Sequence, residues 1–256
     1  MVADGPATVF AYEGLKAFLK AVQAHSAVFP LRDWTGQPGV ILRHDVDMEV
    51  LPAFRMAEVE ADAGVRSSLF FLTTAATYNL AAARNRRMLR EMAAQGFEIG
   101  LHFDPTVYGD VADEDLRPYL EAEARVLEDI LGAEVRSVSL HNPSVHGRYP
   151  IFEGWRNAYD PSIFGADRYL SDSRMSFRRD PAGFLAGRAG EVSQLLLHPL
   201  HYSEDGAVYP DPMARFVERF TDELHEAFLA NSSYRGALGE QRLWTLLGQR
   251  AREPGA

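Results

Sequence analysis

Short apolar runs alternate along the chain with longer amphipathic stretches. The runs cover residues 40–42, 68–72, 97–101, 135–140, 168–170 and 194–197. They are short and continuous rather than alternating, which predicts strands buried on both faces. Residues 51–63, 79–95 and 113–131 carry apolar positions at helical spacing, and the second and third of these stop at Gly96 and Gly132, residues suited to ending a helix. Leu15, Phe18, Leu19 and Val22 give residues 1–38 a helical lead-in. Strand and helix in turn predict a parallel sheet with right-handed crossovers. Residues 142–167, rich in Pro, Gly and aromatics, read as loops with at most a short helix. Residues 210–256 read as a helical tail, one or two helices broken near Asn231-Ser232-Ser233, that covers the barrel or joins a second subunit as a homo-oligomer. No repeat or linker divides residues 1–256, so a single domain is expected.

Polar residues follow each run at once. Leu42 leads into Arg43-His44-Asp45-Val46-Asp47, Leu101 into His102-Phe103-Asp104, Leu140 into His141-Asn142, Leu170 into Ser171-Asp172, and Leu197 into His198. In a βα-barrel the strand C-termini meet at one face, so residues distant in sequence converge there. Any one of these histidines alone is more often an ordinary strand-end residue than a ligand. Four at equivalent positions, with Asp45, Asp47 and Asp172, point instead to a shared cation, because buried carboxylates and imidazoles in one mouth are costly without one.

Composition narrows the chemistry. The chain has 256 residues, 46% hydrophobic and 24% charged, which suits one large α/β domain or two small ones. There is no cysteine, so any metal must be held by His, Asp, Glu or Asn. A net charge of −10 with scattered basic residues argues against nucleic acid as a partner. The N-terminus lacks the features of a signal peptide and no stretch is long and apolar enough to span a bilayer. A cytoplasmic protein is expected.

The motifs resemble those of the NodB-homology polysaccharide deacetylases, carbohydrate esterase family four. The resemblance runs from about Gly39 to His201 and rests on five segments: residues 41–47, residues 64–71, residues 96–102, His141-Asn142-Pro143, and residues 195–198. The His-Asp-x-Asp form of the first is most similar to the WbmS-like branch. The resemblance implies a distorted (β/α)7-type barrel, α/β in class, with C-terminal helices. It also implies a divalent metal, usually zinc, and removal of an acyl group, chiefly N-acetyl, from a sugar or sugar-like amine. Matched residue by residue, Asp47 falls on the metal-binding Asp, Asp45 on the general base, His102 on the first metal His and His198 on the late acid His.

Three departures shape the expectations. Val46 separates two aspartates that are usually adjacent, yet on a strand that spacing keeps Asp45 and Asp47 on one side. Thr106 stands where a second metal His is usual, so the third ligand comes from elsewhere: His141 first, with Asp104 and His44 behind it. His141-Asn142-Pro143 replaces an Arg-x-Pro motif, leaving Arg43 or Arg174 to hold the base. His44, Asp104, Asn142, Asp172 and Trp155 are the candidates for contacting the substrate. Asp172 could equally orient a histidine or cap a turn, and Trp155 could pack in its loop. Two alternatives stay open. One is deformylation or another C–N hydrolysis on a small intermediate, and the other is a barrel that binds carbohydrate without turnover.

Overall fold

Among the described residues eight strands, all paired in parallel, form one curled sheet, and helices separate most of them along the chain. The computed structural model describes residues 9–207 and 210–252. Its elements begin with α1 (Tyr12–Gln23), β1 (Val28–Phe29), β2 (Gly39–Val46), α2 (Val50–Asp62), β3 (Ser68–Leu72) and α3 (Ala83–Ala94). They continue with β4 (Glu98–Phe103), α4 (Arg117–Leu131), β5 (Ser137–Leu140), α5 (Pro143–His146), β6 (Arg156–Asn157), β7 (Tyr169–Ser171), α6 (Pro181–Ala186) and β8 (Val192–Leu197). The strand order is β6-β5-β4-β3-β2-β8-β7, and β1 also pairs with β2. One edge of β2 is shared: β1 pairs at Val40 and Ile41, and β3 takes over from Arg43 onward. This is the expected distorted (β/α)7-type barrel.

The strands read as unbroken apolar runs because both faces are buried, but the two faces differ. Val40 and Leu42 of β2 pack with Leu195 and Leu197 of β8 and with Leu15, Leu19 and Met56 of the covering helices. Alternation therefore turns Arg43 and Asp45 to the interior of the curl. Arg43 meets Ser139 of β5, and its guanidinium carbon lies 4.7 Å from the Tyr159 ring and 5.9 Å from the Tyr169 ring. Residues on β5, after β6 and on β7 thus surround one side chain of β2, which is possible only because the sheet is curled. Gln194 helps close the seam between β6 and β7, donating to the carbonyls of Ala158 (2.9 Å) and Ile163 (3.3 Å). Gly100 is required where it stands, since a Cβ there would lie 2.5 Å from the Phe70 ring.

Local sequence sets the helix bounds. Expected over 79–95, α3 begins at Ala83 because Asn79 Oδ1 accepts from Ala81 N–H and holds a turn ahead of it. Expected over 113–131, α4 begins at Arg117. Pro118 lies in its first turn, where the absent N–H costs nothing, and residues 113–115 form a separate 3-10 turn. Gly132 ends α4 in the left-handed conformation at φ 69°, which glycine adopts without a Cβ penalty. The strands β1 and β6, two residues each, were too short to leave a pattern.

The chain divides after Ala207 into two compact units. The second contains α7 (Asp211–Phe228), α8 (Ser232–Leu238) and α9 (Leu243–Arg250). That is one helix more than expected, with the break where Asn231 caps α8 through Ser233 N–H and Tyr234 N–H. Among the described residues no helix is long and apolar enough to cross a membrane.

Candidate active site

The C-terminal ends of β2, β4, β5 and β8 bring the site together. Register places Leu72 beside His102 and His102 beside Ser139, so the ends of β4 and β5 stand level. His102 is the last inward position of β4, after Glu98 and Gly100, and His141 follows Ser137 and Ser139 on the inward side of β5. Asp47 continues the inward series of β2.

Asp47, His102 and His141 form a nearly equilateral triangle. Asp47 Oδ1 lies 3.1 Å from His102 Nε2 and 3.2 Å from His141 Nδ1, and the two ring nitrogens are 3.1 Å apart. Donors on one tetrahedral cation with bonds of about 2.1 Å stand about 3.4 Å apart, so the triangle fits a single ion. The tautomers make the same point. His102 Nδ1 is 3.1 Å from the carbonyl of Ser139 and must carry hydrogen, which leaves the Nε2 lone pair aimed at a carboxylate. A positive charge resolves that clash, as a proton or as a metal ion. Burial opposes the charged form of His102, but the charges of Asp45 and Asp47 and the bond to Asp47 outweigh it and raise its pKa. Burial acts to raise the pKa of Asp47, yet bonds from His102 and His141 hold its carboxyl well below the usual range. The amide of Asn142, held at φ 45°, lies 2.8 Å from His141 Nε2 and fixes the ring from behind.

Asp45 is buried one step deeper. Arg43 Nη1 donates to both its oxygens at 3.2 and 3.3 Å, and Ser139 Oγ donates to Oδ2 at 3.1 Å and also meets Arg43. The guanidinium that secures this carboxylate therefore comes from two residues earlier on the same strand. Arg174 is exposed and sits in a left-handed turn with Met175.

A second cluster joins Asp172, His198 and His201. Asp172 is wholly buried and accepts from His198 N–H (3.1 and 3.0 Å), His198 Nδ1 (2.6 Å) and His201 Nδ1 (3.2 Å). These donors occupy the carboxylate, and 2.6 Å is too close for two ligands on one ion with bonds of about 2.1 Å. We read it as a hydrogen-bonded relay. Burial works against the charged form of His198, but Asp172, helped by Asp47 and Asp45, pushes its pKa up to about 9. Burial works in the opposite sense on Asp172, which the two histidines hold at about 2. With Nδ1 committed to Asp172, Nε2 is the nitrogen free to exchange a proton.

The other candidates fall elsewhere. His44 points to the outer face, wholly buried, with Nε2 2.6 Å from Glu60 Oε1 of α2 and Nδ1 3.3 Å from the carbonyl of Leu197. The alternation that turns Asp45 and Asp47 inward requires this. Asp104 caps a turn, accepting from Thr106 N–H (2.9 Å) and Thr106 Oγ1 (2.6 Å). Asp172 is wholly buried and stands behind His198, orienting its ring. Trp155 lies under the guanidinium of Arg136 (5.5 Å) at the strand-entry end of the barrel, because a strand parallel to β5 must start there. Ser139 and His201 lacked a sequence signal beyond their spacing from His141 and His198.

No family model matches this sequence, and no curated protein matches it. Among solved structures the chain is similar to the chitin deacetylase of Colletotrichum lindemuthianum, at 16% identity and TM-score 0.42 over 72% of this chain and 83% of that one. It is similar to the peptidoglycan deacetylase PdaC of Bacillus subtilis, at 13% and 0.44 over 73% and 85%. It is also similar to a CE4 family pseudoenzyme of Bacillus anthracis, at 16% and 0.39 over 73% and 66%. Likeness this distant carries no statement about activity, which rests on the residues above.

Proposed function

We propose that this protein is a divalent-metal-dependent hydrolase that removes an acyl group, chiefly acetyl, from the nitrogen of a sugar or sugar-like amine. The observation that carries the reading is the Asp47–His102–His141 triangle with a clamped carboxylate and a raised histidine beside it. All-nitrogen-and-oxygen donors with two imidazoles suit zinc. A divalent cation held there supplies Lewis-acid polarisation of the acyl carbonyl and lowers the pKa of water.

The chain's own groups then have distinct tasks. Arg43 and Ser139 fix Asp45, whose free lone pairs can take a proton from water. His198 carries a proton at neutral pH because of Asp172, and Nε2 can deliver it to the leaving nitrogen. That proton transfer matters most for an amide, since an amine anion does not leave unaided. Asn142 orients His141 rather than the substrate in this scheme.

The test is release of acetate from N-acetylated mono- and oligosaccharides by zinc-loaded protein. Asp45→Asn is expected to keep the metal and lose nearly all turnover. Formate released from N-formylated substrates, with none of the acetylated ones cleaved, would favour the deformylase alternative. Binding of sugar with no product from any acylated amine would favour a non-catalytic barrel.

A further inference from the structure

We propose that Tyr78 is a positioning residue for the metal, setting where Asp47 stands relative to His102 through a hydroxyl shared by the ends of β2 and β3. This role presupposes that Asp47, His102 and His141 are ligands, as proposed above. Asp47 follows β2 and His102 belongs to β4, and these strands are not neighbours, because β3 lies between them. The 3.1 Å between Asp47 Oδ1 and His102 Nε2 therefore depends on how the end of β3 is fixed to each. On the β4 side the register is regular, with Leu72 beside His102. On the β2 side the last pair is Val46 opposite Phe71, and Asp47 is the first residue beyond it.

The Tyr78 hydroxyl acts at that step. It donates to the Val46 carbonyl at 2.7 Å and accepts from Leu72 N–H at 2.8 Å. The Val46 carbonyl lies in the same planar peptide as the nitrogen of Asp47, so holding the one orients the other. Leu72 N–H belongs to the residue beside His102. One oxygen thus ties the peptide that leads into Asp47 to the strand position level with His102.

Tyr78 reaches the two strands from a third element. Its ring packs on the barrel core, and the residues after it are anchored. Leu80 is buried, and the Asn79 carbonyl accepts from Asn85 Nδ2 of α3 at 2.9 Å. Burial, opposed by Leu72 N–H and aided by the charge of Asp47, raises the phenol's pKa well above its ordinary value. The hydroxyl therefore keeps the proton it gives to Val46. A phenylalanine has the same ring but can neither donate to Val46 nor accept from Leu72, which frees the two strand ends to shift. Outer partners that orient a metal ligand typically govern affinity by about 10- to 100-fold.

Zinc titration of metal-free wild type, Tyr78→Phe and Leu19→Ala tests this, with the melting temperature of each metal-free protein measured alongside. Leu19 of α1 is buried against the outer side of the sheet, so its variant loses stability without touching the strand ends. Tyr78→Phe is expected to raise the Kd for zinc by about 10- to 100-fold. Leu19→Ala is expected to leave the Kd unchanged although its melting temperature falls at least as far. An unchanged Kd in Tyr78→Phe, or an equal rise in Leu19→Ala, overturns the role of Tyr78 and leaves the three ligands standing. A wild type that binds no zinc overturns both. If Tyr78→Phe does not fold, amide hydrogen exchange in the wild type decides. Coupling between two sites is reciprocal, so zinc is expected to slow exchange at Leu72 N–H more than at Phe70 N–H of the same strand. Equal slowing at the two overturns the proposal.

Discussion

Asp172→Asn isolates the electrostatic part of the acid–base site, since it removes one charge and little volume. In the wild type Asp172 pushes His198 up to about 9 against the effect of burial. Without that charge, burial pulls the imidazole back down toward its ordinary value of 6.5, with only Asp47 and Asp45 left to oppose it. A full return corresponds to at most on the order of 3 kcal/mol. At pH 8 the protonated share of His198 falls by up to roughly 30-fold, and the rate of a step that needs that proton falls with it. The assay is the initial rate of acetate release between about pH 5 and pH 10. The upper limb is expected near 9 for the wild type and at distinctly lower pH for the variant, with the two rates converging on the acid side. An upper limb that stays in place would refute the assignment of His198 as the acid held by Asp172. Stability carries a second signature. The raised His198 contributes stability that is complete below 6.5 and lost as pH rises through about 9. The depressed Asp172 contributes stability that is complete above 3.8 and lost as pH falls through about 2. The variant's deficit in melting temperature is therefore greatest between 3.8 and 6.5 and shrinks as pH rises through about 9.

Arg43→Leu leaves Asp45 buried without its cation, a loss of about 3–5 kcal/mol. Adding Asp45→Asn to it is expected to recover part of that loss in urea unfolding, whereas strict additivity would contradict the pairing. Trp155→Ala is expected to leave KM unchanged, because the ring packs at the strand-entry end. A several-fold rise in KM would place it at the substrate after all.

The sequence foretold the main architecture because strands buried on both faces leave dense apolar runs, and their polar ends mark one rim of the barrel. Period-two alternation placed Asp45 and Asp47 together. The same rule turns His44 away, toward Glu60, a carboxylate whose place on the buried side of α2 signals a partner. Arg43 was one of two candidates for holding the base, and only the curl of the sheet, which brings Ser139, Tyr159 and Tyr169 around it, separates it from Arg174. Asp104 followed a strand like the others, but its spacing from Thr106 makes a local turn, and local hydrogen bonds outcompete a distant site. Trp155 was misplaced because its loop returns to the foot of the barrel before β6, a two-residue strand with no pattern of its own. Loops of this kind are fixed by tertiary contacts such as Arg156 Nη1 to the carbonyl of Trp34 (2.8 Å), which lie far apart in sequence.

Whether Asp47, His102 and His141 hold one divalent cation is decided by titration calorimetry of metal-free protein with zinc. One site per chain is expected, lost in His102→Ala, with protons released on binding because zinc displaces the one that Asp47 and Asp45 favour on His102. Saturating zinc, at about 100 times its Kd, should add on the order of 3 kcal/mol and raise the melting temperature by roughly 5–10 °C. No heat of binding in the wild type, or binding that His102→Ala leaves intact, would contradict it.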